Sequence, residues 1–226
     1  MDSGIIEKLS QAEVFRKIEK GHLEKLCRMA TKREYKRKQI ICASNEIFPY
    51  VFFLDKGSVR ILKESDKGQS LIVRTLKAGD IFWGHAVVDE GPTPGTLKAA
   101  EANTRIYLCH KDQILPVLKE NPGALWEVSE ILMKRMREAS FTIDQLAFDD
   151  VLTRLAYLIM SEYRRAGNNP KLRRSLTLEQ MASMIGTSPE VVCRLLYRID
   201  EERIIEINRS ELYIKDVKKL RALAKA

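Results

Sequence analysis

Histidine and tryptophan are scarce in this 226-residue chain, with 3 of the first and 2 of the second. Three scattered imidazoles (His22, His85, His110) leave little from which to build a metal centre or a proton relay. The four cysteines (Cys27, Cys42, Cys109, Cys193) include no CxxC pair. That speaks against a zinc ribbon, a disulfide framework and a cysteine-held iron–sulfur cluster. No apolar run approaches the ~20 residues that a membrane span needs, so no membrane partner is expected. The opening MDSGIIEKLSQAEVF has no basic segment followed by an apolar one, so no signal peptide is expected and the cytoplasm is the expected compartment. P-loop, GxGxxG, HExxH and GxSxG patterns are all missing, and no enzymatic activity is expected.

What the chain has instead is positive charge and hydrophobic periodicity. A hydrophobic content of 45% beside 31% charged residues describes a folded globular protein. The formal net charge of +8 is uneven: residues 150–226 carry 15 Lys/Arg against 10 Asp/Glu, and the first 149 carry 24 against 21. An excess of cations concentrated in one third of the chain suits a polyanionic partner.

Apolar residues at helical spacing open the chain in IIEKLSQAEVFRKI and GHLEKLCRMATKREY, with a break at Gly21. From about residue 35, short segments rich in Val, Ile and Phe alternate with turn residues; in SVRIL, Val59 and Ile61 face one way and Arg60 the other. Gly57, Gly68 and Gly79 recur every eleven residues, the length of one strand and one turn, and each predicts a positive φ at a corner. The expected product is an antiparallel, jelly-roll-like β-roll within an α+β chain.

Residues 122–148, PGALWEVSEILMKRMREASFTIDQLAF, predict one long helix. Leu125, Leu132, Ala139 and Leu146 fall seven apart, with Val128, Met136 and Ile143 beside them, which makes a seam for a second copy of the chain. Arg135 and Thr142 interrupt it. Asp149 or Asp150 in FDDV supplies an N-cap for the helix VLTRLAYLIMSEYRRAG, and GNNPKLRR reads as a surface loop. The expected division is 1–121, 122–148 and 149–226.

The stretch LTLEQMASMIGTSPEVVCRLLYRIDEERII predicts two short helices hinged at Gly186. Thr177 and Gln180 form a capping box for the first helix. Thr187 and Ser188 lead into the second, which Ser188 caps, and Pro189 and Glu190 suit its first turn. With Val192, Leu195, Leu196 and Ile199 turned inward, Glu190, Val191, Cys193, Arg194, Tyr197 and Arg198 remain outside. Arginine pairs bidentately with guanine and glutamate accepts from the cytosine amino group, and residues four apart share a helix face. A plain surface ion pair is the alternative for an isolated Glu-x-x-x-Arg. The cap, the hinge and a hairpin in IIEINRSELYIKD favour the major groove. Arg173, Arg174, Arg198 and Arg209 are the candidate phosphate contacts.

The roll glycines, the long helix, the FDDV hinge and the winged helix-turn-helix together resemble a Crp/Fnr-family transcription regulator over nearly the whole chain. The family's recognition pattern Glu-x-x-[Ser/Gly]-Arg stands here as Glu190-Val191-Val192-Cys193-Arg194, with Cys193 replacing the small residue and Pro189 standing where some members carry an arginine. The resemblance implies an N-terminal sensor domain (1–121), a dimerisation helix and hinge (122–148) and a DNA-binding domain (149–226). It further implies a homodimer on a pseudo-palindromic double-stranded operator, with RNA polymerase as a protein partner.

It also implies an effector pocket at Trp83, His85, Ala139 and Ser140. Cyclic-AMP members carry Gly-Glu and Arg-Ser pairs where this chain has His85 and Pro94-Gly95, and Ala139-Ser140 replaces Thr-Ser. A buried phosphate would lack its counter-charge, so cyclic AMP is not expected as the effector. The iron–sulfur alternative lacks its cysteines. GDIFWGH is similar to the haem loop of carbon-monoxide-sensing members, with Trp83 in place of their ligating cysteine; haem at His85 is one reading, and a hydrogen-bonded histidine of the roll is the simpler one. Ligand-independent DNA binding, modulated by oxidation of Cys193, is a further alternative. A regulatory subunit that binds a small molecule and no DNA is the rival class, and the capped helix-turn-helix argues against it.

Overall fold

The computed structural model describes residues 3–66, 69–174, 176–208 and 210–225, with the side chains of residues 3–5 left out. Two compact units divide the chain, one running through Glu64 and including Val73–Arg137, the other joining Ser65–Ile72 to the residues from Glu138 onward.

In the first unit, α1 (Ser3–Gln11), a one-turn helix (Phe15–Lys17) and α2 (Lys20–Met29) precede eight strands. These are β1 (Thr31–Tyr35), β2 (Ile40–Cys42), β3 (Tyr50–Lys56), β4 (Ser58–Glu64), β5 (Ser70–Lys77), β6 (Ile81–Trp83), β7 (Thr96–Ala99) and β8 (Thr104–His110). They form two four-stranded sheets, ordered β1-β8-β3-β6 and β2-β7-β4-β5. The glycine rhythm has its expected basis where it is described: φ is 83° at Gly57, between β3 and β4, and 97° at Gly79, between β5 and β6. Gly68 lies outside the described residues.

Aromatic rings fill the roll. Phe52 and Phe82 stack at 5.2 Å, and Phe48 meets them at 6.3 and 6.1 Å among Leu54, Leu76, Leu97 and Ile106. A second core joins the N-terminal helices to α3 (Lys111–Glu120) and the first turns of α4 (Pro122–Phe148). Polar ties fasten this layer. Asp55, with its side chain 3% exposed, accepts from Lys8 Nζ at 2.7 Å and Arg105 Nε at 2.5 Å. Arg16 Nε donates to Glu127 Oε1 at 2.9 Å, and the Asn121 amide accepts from Glu19 N at 3.1 Å.

The second unit runs through α5 (Val151–Arg165), β9 (Lys171–Arg173), α6 (Leu178–Ile185), α7 (Pro189–Glu201), β10 (Ile205–Ile207), β11 (Glu211–Ile214) and α8 (Val217–Leu223). Asp150 caps α5 by accepting from Thr153 N at 2.7 Å. One core collects Leu155, Met160, Ile185, Val192, Leu196 and Ile199 with Leu212 and Leu220 of the later elements. Arg154 ties three chain segments together here: its guanidinium donates to Ile185 O at 2.8 Å, Asp149 O at 2.6 Å and Gln145 O at 3.4 Å.

Several elements differ from expectation. Gly21 lies inside α2, and the break falls one turn earlier, around Ile18 and Glu19. β1 takes residues expected to be helical; Thr31–Glu34 are all exposed on this edge strand, so no apolar alternation marks it. Residues 171–173 form β9, which pairs with β11 as the third strand of the wing, where a loop was expected.

Candidate nucleic-acid interface

Local chemistry sets the position of α7. Thr177 Oγ1 accepts from Gln180 N at 3.2 Å while Gln180 Oε1 accepts from Thr177 N at 3.0 Å, so α6 starts with the expected capping box. Gly186 ends α6 in the left-handed region at φ 65°. Ser188 then caps α7 through a long 3.5 Å bond from Val191 N, with Pro189 in the first turn. Val192, Leu196 and Ile199 are buried, and Leu195 packs half-buried against the same core.

The outward residues are where the sequence places them. Glu190, Arg194, Tyr197 and Arg198 are exposed, and Thr187, Ser188, Pro189, Val191 and Cys193 are half-buried. An open concavity of about 740 Å³ is lined by Leu178 of α6 and the outward residues of α7 from Pro189 to Glu201. Glu190 and Arg194 form no ion pair with each other, and Arg194 makes no hydrogen bond to another described residue. The Ser188 hydroxyl, and after it the Glu190 backbone N–H, holds the Glu190 carboxyl below its usual range, so it is an ionised acceptor at neutral pH. The surface therefore offers one acceptor and one fork of donors, neither of them committed to the other.

The remaining basic candidates divide. Arg198 Nε pairs with Glu202 Oε1 at 3.0 Å. Arg173 is exposed at the end of β9. Arg174 is half-buried and donates to Asn208 O at 2.9 Å, so its charge braces the turn of the β10–β11 hairpin. Arg209 lies outside the described residues.

On α4, the large hydrophobics Leu125, Leu132, Met136, Ile143 and Leu146 are between 40% and 66% exposed, and Ala139 is exposed with them. Val128 is the correction. It is 4% exposed and belongs to the core of its own chain with Ala124 and Phe15. It follows Leu125 by three positions, whereas Met136 and Ile143 follow their column residues by four, so it falls on the opposite flank of the column. Met133 and Phe141, at 50% and 45%, are exposed nearby and were not singled out from the sequence.

At the candidate effector residues the roll is largely occupied with its own packing. Trp83 is half-buried against the second core, and its indole Nε1 is buried without a hydrogen-bond partner among the described residues. His85 opens a one-turn helix (His85–Val87) and is exposed; its backbone carbonyl is used, but its ring makes no hydrogen bond to a described residue. The hydrogen-bonded histidine expected there is therefore not what the structure has, because the turn carries the side chain out to solvent. Residues 84–97 contain no Lys or Arg but do contain Asp89 and Glu90. Asp89 accepts from Gly91 N at 2.9 Å, and Glu90 pairs with Lys111 at 2.6 Å. An anionic phosphate entering this turn would meet carboxylates and no cation within it. Ala139 and Ser140 are exposed on α4, in the second unit.

The Crp-like helix-turn-helix domain family matches residues 153–223, and the cyclic nucleotide-binding domain family matches residues 32–121. Over 193 residues the chain is 23% identical to the cyclic AMP receptor protein of Thermus thermophilus, covering 85% of this chain and 88% of that one. It is 23% identical over 199 residues to the cAMP-activated global transcriptional regulator Vfr of Pseudomonas aeruginosa, covering 85% and 93%. The structure of a CooA mutant from Carboxydothermus hydrogenoformans superposes with a TM-score of 0.75 at 25% identity, over 87% of this chain and 88% of that one.

Proposed function

The chain belongs to the Crp/Fnr family of DNA-binding transcription regulators, and from that premise we propose that it binds a pseudo-palindromic operator as a homodimer. The α7 helix of each copy lies in the major groove of one half-site, the half-sites being about one helical turn apart. The two copies meet along the exposed column Leu125, Leu132, Ala139 and Leu146 of α4, flanked by Met136 and Ile143. Such a chain acts in the cytoplasm, with RNA polymerase as its protein partner.

One observation carries the reading: Glu190 and Arg194 stand exposed on a capped helix without pairing to each other. Side chains not paired to each other keep hydrogen-bonding capacity for base edges, arginine toward guanine O6 and N7 and glutamate, through its remaining lone pairs, toward the cytosine amino group. Thr187 and Ser188 at the start of α7, with Arg173 and Arg198 around it, place the helix against the phosphates. Arg174 supports the wing from inside.

The test is Arg194→Ala, measured on a selected operator and on random duplex at the same salt concentration. Specific affinity is expected to fall by about 1–3 kcal/mol while binding to random duplex stays nearly constant. Equal losses on both duplexes would make Arg194 a phosphate contact and remove it from the base-reading pair.

A further inference from the structure

We propose that Tyr197 is a specificity-determining residue, its ring packing on the 5-methyl group of a thymine in the half-site that Glu190 and Arg194 read. The proposal rests on the DNA-binding function given above and extends it to a residue outside the family's recognition pattern.

Its position on α7 is the first ground. At about 100° per residue, Tyr197 lies only ~20° around the helix from Glu190, and Arg194 lies ~40° to the other side. Tyr197 therefore shares the direction of the two base readers, the one that meets the floor of a groove. Arg198, at ~80°, points toward a wall. Helical side chains lean toward the N-terminus, so the ring covers the turn of Cys193 and Arg194. In keeping with this, Tyr197 lines the same concavity as Glu190, Cys193 and Arg194.

The chemistry of the surroundings is the second ground. Tyr197 is 65% exposed, a large aromatic surface left in water on a helix whose aliphatic residues Val192, Leu196 and Ile199 are buried. Its hydroxyl makes no hydrogen bond to another described residue. Leu178, Pro189 and Cys193 give the concavity apolar walls beside the charged pair. A thymine methyl is the apolar feature that a major groove presents, and contact with it distinguishes thymine from cytosine. The rise of ~1.5 Å per residue puts Tyr197 ~10 Å along the axis from Glu190, roughly three base-pair steps. The thymine is thus expected on the side of the Arg194 contact away from the Glu190 contact.

The experiment selects operators from random duplexes with wild type, Tyr197→Ala, Tyr197→Phe and Arg194→Ala, and then replaces single thymines in the selected site by uracil, which removes only the methyl group. Wild type and Tyr197→Phe are expected to enrich thymine at one position per half-site. Tyr197→Ala loses that preference and keeps the positions that Arg194→Ala loses. Uracil at that position lowers wild-type affinity about five- to tenfold and leaves Tyr197→Ala unchanged. An unchanged motif for Tyr197→Ala, or indifference of wild type to uracil, overturns the proposal. Equal loss in Tyr197→Phe and Tyr197→Ala also overturns it, since the hydroxyl would then be acting on a phosphate. If wild type enriches no sequence, the DNA-binding function itself fails, an outcome distinct from the others because Arg194→Ala is then silent as well.

Discussion

The helix α7 and the β6–β7 segment of the roll meet opposite demands with the same kinds of residue. On α7 the fold buries Val192, Leu196 and Ile199 and leaves Glu190, Arg194 and Tyr197 exposed. Between residues 81 and 97 the fold draws on most of the apolar residues: Phe82, Ala86, Val87 and Leu97 are buried with Thr93, and Trp83 packs on a core, while His85 and Val88 stay exposed. Gly84 is part of the same economy. A Cβ there would stand 2.1 Å from Phe48 O and 2.7 Å from Tyr50 O, both backbone atoms that cannot swing aside. A surface whose side chains the fold does not need is free to specialise in a ligand, whereas a pocket made from packing residues is tied to the packing.

The largest effect that tests this contrast is expected at Gly84. Gly84→Ala should destabilise the protein by about 3 kcal/mol through overpacking against backbone, read by denaturant unfolding followed in the aromatic signal. At Gly186 a new Cβ meets Leu146 Cδ2 at 3.0 Å, the flexible end of a side chain, and the cost there should be the ~1 kcal/mol of a left-handed alanine. Equal costs at the two glycines would break the comparison.

Next in size is the α4 column. Ile143→Glu places a carboxylate in the proposed seam and should raise the dimer dissociation constant by at least roughly thirtyfold, about 2 kcal/mol, in sedimentation equilibrium. The same change at a surface residue outside the column is the control, and a dimer indifferent to Ile143→Glu would place the interface elsewhere.

The smallest effect is the acid response. Burial by itself would raise the Asp55 carboxyl, but hydrogen bonds from Lys8 and Arg105 outweigh it and hold the group below its ordinary 3.8. Asp150 is likewise held down, chiefly by the backbone N–H of Thr153. A carboxyl depressed in the folded state contributes stability above its unfolded pKa and loses it as the pH falls through the folded value. The stability gap between wild type and Asp55→Asn should therefore be full at pH 7 and close below about pH 4, and Asp150→Asn should behave in the same way. A gap that persists into acid would mean that packing, not charge, sets the worth of these residues.

The same contrast explains what the sequence made legible. The α6–α7 turn was readable because each signal is local: a capping box, a glycine at positive φ, a serine cap and a proline. The limits of α4 were readable from Pro122 and FDDV. The elements missed are those whose cause is distant in sequence. β1 is fixed by pairing with β8 and has no inward face of its own. β9 is fixed by β11, some forty residues later. Helix α3 carries Pro116 in its interior and takes its N-cap from His110, an uncommon capping residue, so the usual start signal was absent. Val128 was placed in the seam because heptad arithmetic does not say which flank a body of the same chain will cover. The candidate effector residues rested on resemblance alone, and no local signal marked how Gly84 or Trp83 would be used.

Arg154 gives the hinge a mechanical character. A guanidinium that holds Gln145 O and Asp149 O at the end of α4 and Ile185 O at the end of α6 is a strut between the two helix termini, made of charge-assisted bonds. Twisting the last turn of α4 must carry the α6–α7 corner with it or break a bond at the strut. The start of α7 is thus geared to the last turn of α4: a rotation of one is delivered to the other with little lost motion.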